Sequence, residues 1–146
     1  MDNIIILGVG NSLKRDDWIG CYATKILKRE LKTKNIQFII GSVSPEAFAE
    51  KIVRAKPTKI IILDAVNMGL KPGQVKVIDI KKIKQTLPNT HKPSLRILID
   101  YLRKTTDAVI KIIGIQPKNV DFGEKMSKDV KDAVPAIKER VLRLIQ

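Results

Sequence analysis

The sequence predicts an α/β protein, a three-layer α/β/α sandwich with a mostly parallel central sheet of about five strands. Two short runs of branched apolar residues, Ile4-Ile5-Ile6-Leu7 and Ile60-Ile61-Ile62-Leu63, show no polar alternation, the pattern of strands buried on both faces. Segments with helical apolar spacing separate such runs, and that alternation defines the class. Turn-forming or acidic residues close both runs, Gly8-Val9-Gly10-Asn11 after the first and Asp64 after the second. With 146 residues, the chain is expected to form one domain over 1–146, large enough to bury a real core.

Taken in order, Ile4–Leu7 is a central parallel strand ended by a tight glycine loop. From Asp17 onward, Ile19, Ala23, Ile26, Leu27 and Leu31 follow helical spacing while Lys25, Lys28 and Arg29 occupy the other face, which gives an amphipathic helix lying on the sheet. A second strand near Gln37–Ile40 runs into Gly41-Ser42-Val43-Ser44-Pro45, where Ser44 is placed to cap a helix and Pro45 to fill its first turn. Phe48, Ile52 and Val53 then face inward. Lys59–Asp64 is the next strand, and it delivers an acidic residue to its carboxyl end, where open α/β sheets place their sites. Met68-Gly69-Leu70-Lys71-Pro72-Gly73 is a turn. The alternating Val75, Val77 and Asp79 mark a half-exposed edge strand that a short connection allows to pair antiparallel. After a polar loop holding His91, Leu95, Leu98, Ile99 and Leu102 mark a third helix, and Val109–Ile115 is another buried strand. Ser127 is placed to cap a last helix with the apolar stripe Val130, Val134, Ile137, Val141 and Leu144, which Pro135 should bend or split.

Hydrophobic residues make up 44% of the chain and charged residues 29%, the balance of a soluble globular protein and not of a disordered one. The single cysteine, Cys21, has no partner for an internal disulfide and no cluster for a thiolate zinc site, so a reducing cytoplasm is the expected home. Met1-Asp2-Asn3 carries no basic region, and the apolar run after it is too short for a signal sequence or a membrane span, so neither export nor membrane insertion is expected. The net charge of +13 raises nucleic acid as a partner. Against it, the basic residues are scattered among isoleucines and aromatics are only 4%, too few for stacking platforms.

The first loop begins like a dinucleotide fingerprint, but Leu13 stands where the third glycine belongs, and the second strand ends Ile40-Gly41-Ser42 without a ribose-binding acid. No serine sits in a Gly-x-Ser-x-Gly elbow. Cys21 falls within the first helix among apolar neighbours and is assigned to packing. Asp16 and Asp17 stand at the start of that helix, and capping is the role assigned to Asp16. Taken singly, Asp64 suits loop hydrogen bonding and His91 suits solvent. Placed together at one edge of the sheet, two carboxylates and one imidazole form an oxygen and nitrogen set able to hold nickel, zinc or another divalent ion.

These residues resemble a family, the peptidases that mature the large subunit of nickel-iron hydrogenases. The resemblance rests on Gly8-Val9-Gly10-Asn11-Ser12-Leu13 followed by Asp16-Asp17 and Gly20, on Ile62-Leu63-Asp64-Ala65, on Met68 to Gly73, on Thr90-His91 and on Gly114-Ile115-Gln116-Pro117. It covers nearly the whole chain, and the middle and late stretches are most similar to the branch serving formate-hydrogenlyase-type hydrogenases. The chain departs from the family's pattern at Trp18, where many members have glycine, and at the basic pair Lys14-Arg15.

The resemblance implies an endopeptidase that removes the C-terminal extension of a nickel-iron hydrogenase large-subunit precursor after nickel insertion. It also implies that the family's nickel ligands fall on Asp17, Asp64 and His91, with the nickel presented by the precursor. Whether the metal polarises the scissile carbonyl or activates water, or a carboxylate acts as general base, stays open. Two other classes compete: a non-enzymatic nickel-binding or scaffold protein of the same fold, and a basic nucleic-acid-binding α/β domain. If the implied site is right, Asp17, Asp64 and His91 meet around one cleft at the carboxyl edge of the sheet while Asp16 turns aside. Acid should then silence an imidazole ligand, whose ordinary pKa is about 6.5.

Overall fold

The structure, a computed structural model, describes residues 2–80 and 92–146. Strands β1 (Ile4–Val9), β2 (Ile36–Ser42), β3 (Lys59–Ala65), β4 (Val75–Asp79) and β5 (Val109–Ile115) form one sheet in the order β2-β1-β3-β5-β4. All neighbours run parallel except β4, which pairs antiparallel with β5 from Val75 opposite Ile115 to Asp79 opposite Lys111. The predicted antiparallel edge strand is therefore observed, paired not with β3, which precedes it, but with β5. The helices are α1 (Ile19–Glu30), α2 (Ala49–Arg54), α3 (Pro93–Thr105), α4 (Lys128–Lys131) and α5 (Val134–Ile145).

Alternation along the central strands divides the interior into two cores. Ile5 and Leu7 of β1, Ile60 and Ile62 of β3, and Ile110 and Ile112 of β5 pack with Ile52 of α2 and with Leu95, Leu98 and Leu102 of α3. Ile4, Ile6, Ile61, Leu63 and Ile113 point the other way, onto Ile19 and Leu27 of α1 and Val130, Ile137 and Val141 of α4 and α5. Apolar residues on both faces explain why β1 and β3 read as unbroken apolar runs. The three-layer sandwich expected from the sequence is the observed architecture.

The local differences lie at helix starts. Short 3-10 turns, Arg15–Trp18 and Pro45–Phe48, precede α1 and α2, and Ser44 makes no side-chain cap despite Pro45 in the first turn. The last helix is split, as Pro135 requires: α4 ends at Lys131, and Pro135 sits in the first turn of α5, where its missing N–H costs nothing. No helix among the described residues is long and apolar enough to cross a membrane.

What positions a site is the strand order. β2 lies on one side of β1 and β3 on the other, so the chain reverses direction across the sheet there, opening a crevice beyond the carboxyl ends of β1 and β3.

Candidate active site

β1 and β3 end level with one another, Gly8 lying opposite Leu63. Leaving β1, the chain turns at Gly10 with φ +152°, and a Cβ there would lie 2.0 Å from the carbonyl oxygen of Asp17. Gly20 in the first turn of α1 is as tightly placed, since a Cβ would meet the carbonyl oxygens of Leu63 at 2.0 Å and Val9 at 2.6 Å. Absence of side chains at these two points lets the start of α1 rest directly on the strand ends. Asp17, in the 3-10 turn, is thereby brought next to Asp64, in the last turn of pleat of β3.

A cation holds the two carboxylates together. Nζ of Lys92, the residue before α3, lies 2.7 Å from Oδ1 of Asp17 and also pairs with Oδ1 of Asp64. Oδ2 of Asp17 accepts the backbone N–H of Asn11 at 2.9 Å, which fixes the carboxylate against the first loop. Asp64 is fully buried, and its Oδ2 has no hydrogen-bond partner among the described residues. Burial pushes the Asp64 carboxyl up to about 6; Lys92 offsets part of that rise and the Asp17 carboxylate adds to it. For Lys92, burial works against the ammonium, but the two carboxylates outweigh it and leave the pKa above the ordinary lysine value.

Asp17 and Lys92 line a cleft of about 340 Å³. Its walls come from the first loop (Gly10, Asn11, Lys14), the end of β2 and the turn after it (Ser42, Val43, Pro45), the residues after β3 (Ala65, Asn67), the start of α3 (Lys92, Pro93, Leu95) and the loop after β5 (Pro117, Val120). Gln116 braces this rim. Its buried amide oxygen accepts N–H groups of Met68 at 2.7 Å and Leu70 at 3.2 Å, while its nitrogen donates to Oδ1 of Asn67 at 3.2 Å.

Two of the three predicted site residues thus meet at the carboxyl edge: Asp17 lines the cleft, and the fully buried Asp64 is joined to it through Lys92, which lines the cleft as well. His91 lies outside the described residues; the residue after it, Lys92, reaches both carboxylates. Sequence reasoning did not single out Lys92, and only its position beside His91 and before Pro93 could have pointed to it.

Asp16 turns aside, as expected, but the capping role assigned to it is corrected. Its Oδ2 accepts N–H groups of Lys118 and Asn119, both at 2.9 Å, and the hydroxyl of Ser127 at 2.8 Å; Oδ1 accepts the N–H of Ser127 at 2.6 Å. Burial alone would raise its pKa, yet the bonds from Ser127, Asn119 and Lys118 prevail and hold the carboxyl below the usual value. The Ser127 hydroxyl is spent on Asp16 and makes no cap on α4, which corrects that expectation too. Cys21 is buried in α1, and burial pushes its thiol up to about 12, so it stays protonated and packs as assigned. Trp18, the departure from glycine, packs beneath the ammonium of Lys25, 5.2 Å from the ring centre.

Chemically, the cleft offers two converging carboxylates already arranged around a positive charge, with one buried carboxylate oxygen to spare. That donor set fits a divalent ion with oxygen ligands from Asp17 and Asp64. Among the described residues no group of three or more histidine, cysteine or acidic side chains is placed to hold a metal ion.

Comparison with known proteins places the chain by sequence and by fold. The family described as hydrogenase maturation protease matches residues 21–144. The hydrogenase 3 maturation protease of Escherichia coli strain K12 is 36% identical over 94% of this chain and 87% of its own length. The crystal structure of the [NiFe] hydrogenase maturation protease HycI from Thermococcus kodakarensis superposes with a TM-score of 0.85 at 28% identity, over 96% of this chain and 90% of that one. The solution structure of the endopeptidase HycI from Escherichia coli gives a TM-score of 0.79 at 33% identity, over 94% and 88%. A match this long, in sequence and in fold, means that the chain belongs to the hydrogenase maturation protease family.

Proposed function

We propose that this endopeptidase removes the C-terminal extension of a nickel-iron hydrogenase large-subunit precursor once nickel is in place, and that Asp17, Asp64 and His91 read the precursor's nickel. The observation that carries the reading is the convergence of Asp17 and Asp64 on one cation at the floor of the cleft. A pair of buried carboxylates is costly without positive charge between them, so the site is built to receive a cation. Nickel belongs to the substrate here and is presented with it. The chain's own part is to seat the extension along the cleft, to bring carboxylate oxygens to the metal-bearing segment and to exclude bulk water. Hydrolysis breaks the peptide C–N bond as water adds to the carbonyl carbon; the water's proton needs an acceptor and the leaving nitrogen a donor, which is general acid–base work. The lone buried cysteine fits a reducing cytoplasm as the place of action.

The test is incubation with precursor prepared with and without nickel. The nickel-loaded form should lose its tail and the nickel-free form should survive; rapid, correctly placed cutting of metal-free precursor would refute the nickel reading. Asp17→Asn, Asp64→Asn and His91→Ala should each remove most processing while the fold is kept, and Cys21→Ala should process normally. Normal rates in all three folded site variants would overturn the residue assignment. Because the Asp64 carboxyl titrates at about 6, processing should also decline as pH is lowered through that value and the carboxylate is lost.

A further inference from the structure

We propose that Lys92 is a built-in stand-in for the metal: its ammonium fills the cation position between Asp17 and Asp64 until a metal ion displaces it. The inference rests on the reading that these two carboxylates receive the precursor's metal, and it adds how the metal-free site is kept ready and closed to casual occupants.

Nζ touches Oδ1 of both acids, so the ammonium lies between them, where a shared cation would lie. Two carboxylates this close and this buried repel one another and have lost their water, so a resident positive charge lowers the cost of holding them ready. The ammonium leaves Oδ2 of Asp64 unused. That oxygen is fully buried and without a hydrogen-bond partner among the described residues, an arrangement that one point charge with its contacts on Oδ1 does not complete and a divalent ion with several ligand positions would.

The lysine is also placed so that it can leave. Lys92 has extended backbone, φ −101° and ψ 96°, at the residue before α3, so moving its side chain unwinds no helix. Its side chain is 24% exposed whereas that of Asp64 is fully buried, and four methylenes let the ammonium swing to solvent while the acids stay in place. Displacement exchanges one positive charge for two. A free ion must compete with a tethered ammonium at very high local concentration, whereas an ion delivered by a docked precursor arrives with the binding energy of the polypeptide behind it. Lys92 is therefore a specificity-determining residue that raises the threshold for metal entry.

The test is calorimetric titration of the full chain with nickel chloride alone at neutral pH, beside thermal melts with chelator and with nickel. Lys92→Met should bind nickel about tenfold or more tightly than wild type, the scale of a charge-assisted contact that no longer has to be broken. The same variant should melt lower than wild type in chelator and recover with nickel by a larger shift, a response that a purely structural lysine would not produce. Lys92→Arg keeps the charge and should stay near wild type. Lys92→Gln carries the same comparison where the methionine variant fails to fold. Nickel binding in the neutral variants that is no tighter than wild type, undetectable binding included, overturns the stand-in. If Asp64→Asn still weakens nickel binding in that case, the metal reading survives; if Asp64→Asn changes it in neither background, that reading fails as well.

Discussion

Asp16 and Asp17 are consecutive, yet a single 3-10 turn aims them in opposite directions, one into the loop after β5 and one into the cleft. Their chemistry diverges with their surroundings. Asp16 accepts four hydrogen bonds and is held ionised, so it acts as a fastener between the first loop and residues 118–127. Asp16→Asn replaces one acceptor oxygen with a donor amide facing N–H groups, and should cost about 1–3 kcal/mol at neutral pH, as for a buried charged hydrogen-bond partner. The sign of the pH dependence follows from the lowered pKa. Stability contributed by Asp16 is present above its ordinary value of 3.8 and lost as pH falls through the lower folded value, so denaturant midpoints of wild type and Asp16→Asn should converge in strong acid. A gap independent of pH would show that the carboxylate charge is not what holds the loop. Asp64 has the opposite sign: its raised pKa means that ionisation costs stability as pH rises toward about 6, a cost that Lys92 reduces but does not cancel.

At the scale of elements, the site exists because α1 lies unusually close to the ends of β1 and β3. Gly20→Ala places a methyl group 2.0 Å from the carbonyl oxygen of Leu63, a backbone atom that cannot yield as a flexible side chain would. The helix start must lift, carrying Asp17 away from Asp64, so the variant should lose processing and about 1–3 kcal/mol or more of stability. A folded, fully active Gly20→Ala, read by melting and by precursor cleavage, would show that this contact does not set the geometry. The elements themselves were legible in the sequence wherever burial was two-sided or strictly periodic. Ile4–Leu7, Ile60–Leu63, Val109–Ile115, the alternating edge strand and the stripes of α1, α3 and α5 all follow from apolar spacing, and Asp64 at a strand's carboxyl end followed with them. What stayed hidden depends on contacts distant in sequence. The partners of Asp16 are more than a hundred positions away, Ser127 was diverted from its helix by that same bond, and Lys92 takes its meaning only from two acids supplied by other elements.

Across the whole molecule, the site and the last turn of α5 lie at opposite ends of β3. Asp17, Asp64 and Lys92 sit beyond the carboxyl ends of the strands, while the last turn of α5 meets the amino end of β3, where Nζ of Lys59 bonds the carbonyl oxygen of Leu144. Stability and activity should therefore separate. Ile137 of α5 is fully buried among Ile4, Ile6 and Leu63 on the α1 side of the sheet. Ile137→Ala should destabilise the fold by about 2–5 kcal/mol through lost burial and the cavity left behind. Well below its lowered melting temperature, the same variant should still process nickel-loaded precursor at the wild-type rate and still reject the nickel-free form, since among the described residues none of α5 lines the cleft. Asp17→Asn should show the converse: processing is lost at temperatures where the variant is fully folded, although loss of its pairing with Lys92 lowers the melting temperature. Finding that Ile137→Ala abolishes processing while fully folded would mean that the far core sets the spacing of Asp17 and Asp64, and that the two ends of the sheet are mechanically one.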